Sequence, residues 1–231
     1  MHFQMSRIYK NIILLFLLIF PFTVSAHVQH YDKLNKIEFD IYRNNKHIGK
    51  HIFSFKKSDN DIEIESEINF QIKKLGVVLY KYHVKGTEYY KDGKLIKFNS
   101  KTNQNGKEKY VNLKAEGNDL IIDGSSFKGK VSQEYLLGTW WNHSIVNAPA
   151  QISAVSGRII KQKVTFLGKE EIKVGNKTFN TLHFNFSSTD KKLKKNKKLN
   201  TDVWYDEKTL NWVKATFEKK GKWEYRLVEI K

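Results

Sequence analysis

The segment Gly124–Lys130 has the G-x-x-x-x-G-K spacing of a phosphate-binding loop. In such a loop, backbone N–H groups and the lysine bind nucleotide phosphates, and a Ser or Thr in the next position coordinates Mg²⁺. Val131 occupies that position here and offers no oxygen ligand. The segment also follows a stretch typical of a hairpin strand, not one that leads into a helix. We therefore predict no nucleotide site and no cofactor.

Two carboxylates, Asp202 and Asp206, flank Trp204 on one side of a predicted strand, where they could suggest a glycosidase pair. Four residues of extended chain place their backbones about 13 Å apart. The paired carboxylates of glycosidases lie roughly 5–9.5 Å apart. We therefore interpret the two aspartates as polar ends of a strand and predict no catalytic residues.

The histidines show no metal-binding spacing such as H-E-x-x-H. His51 alternates in phase with Phe53 and Phe55, which predicts that it points into a core. His183 lies between Leu182 and Phe184 and is predicted to face solvent. We predict no metal ligands.

Other reactive groups are also missing from the sequence. The chain has no cysteine, which excludes disulfides, thiolate metal sites and cysteine nucleophiles. It has no G-x-S-x-G nucleophile motif either. The sequence favours a non-enzymatic function, with a hydrolase that lacks a recognisable motif as an open alternative.

The first 26 residues have the layout of a secretory signal peptide. Arg7 and Lys10 supply a positive region, an apolar stretch covers residues 12–24, and small residues at Val24 and Ala26 suit a cleavage site. The apolar stretch is shorter than the ~20 residues that a membrane-spanning helix needs. We predict cleavage after Ala26, a single β-rich domain over residues 27–231, and a periplasmic location.

The formal net charge of +17 comes almost entirely from lysine, since only four arginines occur. Such a charge favours anionic neighbours, although a guanidinium suits specific phosphate recognition better than an ammonium does. Residues 191–198 concentrate the excess in Lys191, Lys192, Lys194, Lys195, Lys197 and Lys198. This segment is predicted either to be a solvated loop or to contact an anionic membrane surface, where each lysine could contribute about 1 kcal/mol. The export signal and the scarcity of arginine argue against nucleic acid as a partner.

Strict alternation of apolar and polar residues dominates the rest of the chain. In residues 61–73, Ile and Phe alternate with Glu, Asn and Gln, the pattern of a strand with one buried and one wet face. Pairs of residues that tolerate positive φ separate such stretches. These pairs are Asn44-Asn45, Asp59-Asn60, Asp92-Gly93, Asn105-Gly106, Gly117-Asn118 and Gly175-Asn176. The fold class is therefore predicted as mainly β: a curved antiparallel meander that forms an open or closed β-barrel.

Two segments depart from the alternation. Residues 75–84 are apolar on both strand faces, which predicts a strand covered on both sides by protein or by a ligand. Residues 132–146 do not alternate and contain Trp140 and Trp141, so we predict one short helical segment there, capped by Ser132. Together they suggest a groove for an apolar ligand beneath the helical segment. The predicted ligand-binding residues are Leu75, Val77, Leu79, Tyr80, Trp140 and Trp141.

Several motifs, spread in order over most of the chain, resemble those of an exported bacterial family, domain-of-unknown-function family 6134. The segments are Tyr42-Arg43-Asn44 with Ile48-Gly49, Leu75-Gly76 with Tyr80-Lys81-Tyr82, Glu88 with Asp92-Gly93-Lys94-Leu95, Thr139-Trp140-Trp141-Asn142, and the closing motifs within 202–206, 212–214 and 224–227. The resemblance implies a curved β-sheet similar to that of half-barrel carriers of acyl chains. It implies no role for any particular residue.

The leading functional hypothesis is a non-enzymatic periplasmic protein whose curved sheet shelters an apolar or lipid-like ligand. The doubly apolar stretch, the Trp-rich segment and the basic exterior motivate it. The alternatives are a structural or interaction module of the cell envelope with a packed core, or a hydrolase without a recognisable motif.

The predicted export can be checked on protein recovered from a periplasmic extract. Mass spectrometry of the intact chain is expected to show a product that begins at His27. Retention of the first 26 residues in that fraction would contradict the cleavage prediction.

Overall fold

In the computed structural model, which describes residue 31 and residues 33–59, 61–194 and 197–231, fifteen β-strands form one curved sheet. The predicted signal peptide and Lys195 lie outside these residues. The strands are β1 Lys36–Arg43, β2 Lys46–Ser58, β3 Asp61–Lys74, β4 Val77–Lys91, β5 Lys94–Gln104, β6 Lys107–Glu116, β7 Asp119–Gly124, β8 Lys128–Ser132, β9 Leu136–Leu137, β10 Ala150–Ile152, β11 Ile159–Val174, β12 Lys177–Ser188, β13 Asn200–Asp206, β14 Trp212–Glu218 and β15 Lys222–Ile230.

The chain enters the sheet at its middle and leaves it next to the same place. Strands β1 to β8 run outward as a meander to one edge, and β9 to β15 return from the other edge until β15 pairs with β1. Neighbouring strands are antiparallel except β9 and β10. The sheet is not closed, because β8 and β9 are its two edges. The predicted fold class, a curved antiparallel meander, is confirmed.

Turn residues and alternation account for this topology. Asn44 and Asn45 both have positive φ, as a tight hairpin between β1 and β2 requires. Asp92-Gly93 and Asn105-Gly106 make the same kind of turn. Along β3, Ile62 and Ile64 are buried, whereas the intervening Glu63 is partly exposed. His51 is buried among aromatic rings, as predicted, and burial lowers the pKa of its imidazole to about 3.

The segment that joins the two halves of the sheet differs from its prediction. We call residues 133–149 the crossover strap. It holds the two-residue strand β9 and a five-residue 3-10 helix, His143–Asn147, in place of a helix over about 132–146. Asn142 caps the 3-10 helix, whereas Ser132 ends β8. Pairing of β9 with β10 and the positive φ of Trp140 prevent a longer helix.

One hydrophobic core fills the concave side of the sheet and includes side chains of the strap. Its largest fully buried members are Trp141, Trp212, Tyr31, Tyr205, Phe39, Phe53, Phe98 and Phe186. Loop residues after β10 approach the other half of the sheet: the Ser126 N–H donates to the Ser156 carbonyl at 2.8 Å. The barrel-like interior is thus occupied by side chains.

The doubly apolar stretch was predicted to be covered on both sides by protein or by a ligand, and in its first part no described protein element covers it. β3 pairs with β2 only as far as Phe70, and β4 begins to pair with β5 at Tyr82. Residues 71–81 therefore form a two-stranded hairpin that projects beyond its neighbours, which we call the finger. Its tip is exposed, whereas Val84 at the base is buried.

Within the described part of the chain, no helix is long and apolar enough to cross a membrane.

Strand β3 leaves no room for a side chain at Gly49 of β2. A Cβ at this position would lie 2.1 Å from the Asn69 carbonyl oxygen and 2.6 Å from the Phe70 Cα, and neither backbone atom can move freely. Gly49→Ala is expected to lower the free energy of unfolding in urea by about 1–3 kcal/mol.

Gly106→Asn is the control for that substitution. Gly106 has a positive φ that asparagine tolerates, and nothing lies near its Cα, so the change should be small. Equal effects of the two substitutions would contradict the steric explanation.

Candidate ligand-binding cleft

The structure separates the six predicted ligand-binding residues into two groups. Leu75, Val77 and Leu79 lie at the exposed tip of the finger. Tyr80 lies at the base of the finger, where its ring stacks on Phe70. Trp140 and Trp141 belong to the crossover strap.

Trp141 meets the sheet near the far end of β4. It contacts Glu88 and Tyr90, and the eight steps along the strand from Tyr80 to Glu88 span about 26 Å. The six residues therefore do not line one groove.

Trp141 is held in the interior by a buried carboxylate. Its indole N–H points at both carboxylate oxygens of Glu88, at 3.1 Å each, and the Tyr90 hydroxyl donates to Glu88 Oε2 at 2.8 Å. The side chain of Thr139 adds another hydrogen bond. Burial raises the pKa of Glu88 to about 7, and these hydrogen bonds lower it by less than burial raises it.

Aromatic packing and further hydrogen bonds hold the strap around Trp141. The rings of Tyr31, Phe55 and Tyr90 meet the indole edge-to-face with centroids 5.3–5.6 Å away. The Tyr205 hydroxyl donates to the Trp140 carbonyl at 3.0 Å. Because Trp141 is fully buried by these contacts, it serves packing and is not accessible to a ligand.

Trp140 is partly exposed and packs edge-to-face against the core. Its ring centroid lies 5.6 Å from that of Trp212 and 6.5 Å from that of Tyr225. It therefore covers core aromatics at the rim of the interior.

A cleft of about 520 Å³ opens between the β1–β2 hairpin and β3. The last pair of β2 and β3 at this end is Gly49 with Phe70, and beyond it the two strands diverge. A bulge in β1–β2 pairing between Ile41 and Tyr42 helps to turn β2 away. The lining residues are Arg43, Asn44, Lys46, His47, Ile48, Gly49, Asn69, Phe70, Gln71, Ile72 and Lys73.

The cleft combines an apolar floor with a basic rim. Ile48, Phe70 and Ile72 supply the apolar surface, and the Phe70 ring stacks on Tyr82 at 4.8 Å. The rim has four basic side chains, and among its described lining residues none is acidic. The nearest carboxylate partner is Asp40, whose Oδ1 lies 3.1 Å from His47 Nε2. Such a cleft suits a ligand with an apolar part and an anionic group.

Arg43 gives the rim a fixed positive charge. Its guanidinium donates to the Lys220 carbonyl and lies 5.9 Å from the centroid of the Trp223 ring. Lys46 and Lys73, in contrast, are exposed and free to reorient. The rim can therefore adapt to an anionic group without breaking the packing of Arg43.

A second concavity of about 560 Å³ lies on β4, β5 and β6 between polar residues such as Thr87, Asn99 and Asn112. Its lining has no Ile, Leu, Val or Phe side chain and includes the carboxylate of Glu108, which makes it less suited to an anionic amphiphile.

His183 was predicted to face solvent, whereas the structure packs it against other side chains. Its ring stacks on Trp204 with centroids 4.1 Å apart, and its Nδ1 lies 2.9 Å from Glu170 Oε1. Asp202 also faces this histidine, at 3.5 Å from Nε2. In the described residues, no group of three or more His, Cys, Asp or Glu side chains is arranged to hold a metal ion.

The comparisons with known proteins identify the family. The sequence model of the domain of unknown function DUF6134 matches residues 39–228. The chain belongs to this family. No curated protein matches the chain significantly. Arg43, Asn44, Ile48 and Gly49, which contribute to the resemblance noted in the sequence, all line the cleft.

One solved structure supports the fold. A β-barrel-like protein of the domain-of-unknown-function family DUF1849 from Brucella abortus has a TM-score of 0.59 at 10% identity, covering 84% of this chain and 95% of that chain. A protein with a YmcC-like fold from Bacteroides fragilis NCTC 9343 has a TM-score of 0.37 at 9% identity, covering 85% and 94%. The first likeness shows a shared fold and nothing about function.

The cleft residues Lys46, His47 and Ile72 were not predicted. Ile72 continues the alternation of β3 and resembles a core residue in sequence. The available signal was the family motif around Arg43 and Ile48, which the sequence could not place next to β3.

The raised pKa of Glu88 has a defined effect on stability. The unfolded chain releases this proton near the ordinary pKa of 4.5, whereas the folded chain keeps it up to about pH 7. The contribution of Glu88 to stability is therefore complete below about pH 4.5 and falls as the pH rises to about 7, by about 3 kcal/mol. Glu88→Gln, which cannot ionise, should gain that amount relative to the wild-type protein between pH 4.5 and 8.

Urea unfolding of both proteins at several pH values measures this difference. Lowered carboxylate pKa values elsewhere, such as that of Glu229, act in the opposite direction but are common to both proteins and cancel. A difference that does not change with pH would contradict the assignment.

Proposed function

We propose that this protein is an exported, non-enzymatic protein of the cell envelope that binds a lipid-like anionic amphiphile in the basic cleft. The observation that carries the proposal is the combination, in one open cleft, of the apolar side chains of Ile48, Phe70 and Ile72 with a rim of basic groups. The export part of the proposal rests on the layout of residues 1–26.

The size and chemistry of the cleft support this class of ligand. Its volume lies within the range of small-molecule sites, about 300–1,000 Å³. Each acyl CH₂ that is buried there would contribute about 0.8 kcal/mol without any specific polar contact. The cations of Arg43 and Lys46 would orient the anionic end toward the rim.

The packed interior moves the proposed ligand away from the concave face of the sheet. Trp141 and the other large core side chains occupy that space, so a ligand there would have to displace buried aromatic groups. Of the residues predicted from sequence, Tyr80 is the one that adjoins the cleft, through its stacking on Phe70.

The same packed interior supports a second candidate function, an interaction module that docks to a protein of the envelope. A pull-down from envelope extracts distinguishes the two, since a protein partner should remain bound after lipid is removed with detergent. Loss of all partners on delipidation, together with retained lipid in native mass spectra, would favour the lipid ligand.

Titration with soluble single-chain lipids tests the cleft directly. Lysophosphatidylglycerol, which is anionic, is expected to bind more tightly than lysophosphatidylcholine at concentrations below micelle formation. The double substitution Lys46→Gln with His47→Gln should weaken lysophosphatidylglycerol binding about fivefold or more, since the ammonium of Lys46 near a phosphate contributes about 1 kcal/mol.

The matched control is the double substitution Lys91→Gln with Lys94→Gln. These exposed lysines flank the β4–β5 turn, which lies at the end of the strands opposite the cleft. Their loss removes at least as much charge from the protein but leaves the cleft intact. Equal weakening by both double variants would indicate attraction by net charge alone and would contradict a built cleft.

A further inference from the structure

The finger exposes several neighbouring aliphatic side chains. The side chain of Leu75 is 95% exposed, that of Val77 62% and that of Leu79 55%. Leu75 lies in the turn with positive φ, next to Gly76, and a bulge in β3–β4 pairing leaves Leu79 without an opposite residue. Polar residues would satisfy the same hairpin, so its apolar tip points to a binding surface.

The apolar tip lies between lysines. Lys73 and Lys74 precede the turn and Lys81 follows it, and all three are exposed. The sequence of residues 71–81 contains no Asp or Glu. The finger thus carries a small aliphatic end on a positively charged stem.

Further lysines lie at the end of the strands from which the finger projects. The β1–β2 and β14–β15 turns lie at this end, because Arg43 pairs with both Lys46 and Trp223, and Trp223 also pairs with Phe217. Lys219 and Lys220 lie in the second of these turns. Burial and the nearby charges of Arg158, Lys109 and Lys220 lower the pKa of Lys219.

The described lysines of the segment 191–198, which are Lys191, Lys192, Lys194, Lys197 and Lys198, follow β12 and precede β13 at this end of the strands as well. The segment connects β12 to β13, whose last pair is Ser187 with Asn200, and Thr201 pairs with Phe217 next to the β14–β15 turn. At the opposite end of the strands, two turns carry acidic residues. One has Asp59 and Asp61, and another has Asp206 and Glu207. The protein is therefore most basic at the end that carries the finger.

We propose that the finger docks the protein on an anionic phospholipid bilayer. Leu75, Val77 and Leu79 enter the interface between headgroups and acyl chains. The lysines at the same end of the strands contact the lipid phosphates. The proposal is independent of a ligand in the cleft. Since Ile72 and Lys73 belong to both the finger and the cleft lining, docking would place the cleft at the bilayer surface.

The chemistry of the tip favours lipid over a protein partner. Protein interfaces concentrate their binding energy in Trp, Tyr and Arg side chains that fill shaped pockets. The exposed side chains of the tip are instead aliphatic and carry no aromatic ring. The charges beside them are flexible ammonium groups. Aliphatic groups dissolve in acyl chains, and lysines satisfy a diffuse layer of phosphates.

A site-specific fluorescent label tests insertion. The sequence has no cysteine, so Leu75→Cys gives a single attachment site for the environment-sensitive dye NBD. With vesicles of phosphatidylcholine and phosphatidylglycerol, the label is expected to shift to the blue and brighten. The control is Leu167→Cys, at a side chain that is 53% exposed midway along β11, where no change is expected.

Vesicle co-sedimentation of the unlabelled full-length chain tests the energetics. Leu75→Ser with Leu79→Ser should reduce binding to the anionic vesicles by about tenfold or more. Lys74→Gln with Lys81→Gln should also reduce it, and should weaken its dependence on salt. Lys91→Gln with Lys94→Gln is the charge-matched control and should bind nearly as the wild-type protein does.

Any of three results would overturn the proposal: no binding of the wild-type protein to anionic vesicles, no spectral change at position 75, or finger variants that bind as tightly as the control. Circular dichroism verifies that the variants fold. Titration of the Leu75→Ser, Leu79→Ser variant with lysophosphatidylglycerol separates the two hypotheses, because neither residue lines the cleft and loss of docking should leave that binding unchanged.

Discussion

The buried hydrogen bonds between Glu88 and Trp141 constrain the rest of the structure. A carboxyl group with no access to water is tolerated only where its oxygens have hydrogen-bond partners. Here the indole of Trp141 and the hydroxyl of Tyr90 provide them. Since Trp141 belongs to the strap that joins the two halves of the sheet, these bonds fasten the crossover to β4. The concave side becomes a filled core, and the two meanders act as one sheet.

A filled interior moves any binding function to the surface. The half of the sheet that begins with β1 supplies the two features with binding chemistry, the basic cleft and the finger. Both arise where strands stop pairing: β2 and β3 diverge beyond Gly49 and Phe70, and β3 and β4 continue alone to the turn at Leu75. The interior is filled by side chains, so the accessible apolar surface comes from strand ends that have lost a pairing neighbour. The excess of lysine at the same edge supplies the complementary charge for anionic amphiphiles.

Much of the fold could be predicted because its signals are local. The alternation along β3 and the turn pair Asn44-Asn45 depend only on neighbouring residues and on backbone sterics. The strap could not be predicted in detail, because the hydrogen bonds that hold it, from Trp141 to Glu88 and from Tyr205 to the Trp140 carbonyl, join residues far apart in the chain. The same applies to His183, whose contact with Trp204 joins two strands. For the candidate site, the sequence located apolar residues but not the side chains around them.

The sequence by itself determined the mainly β class, the hairpin positions, the inward orientation of His51 and membership of the family. Tertiary structure decided which apolar residues are covered. Leu75 and Trp141 look equally suited to a core in sequence, yet one is exposed at a hairpin tip and the other is fully buried. The physical reason is that alternation sets only the face on which a side chain lies. Whether another element covers that face depends on strand register and on the path of the crossover strap, and both are set by contacts between residues far apart in the chain.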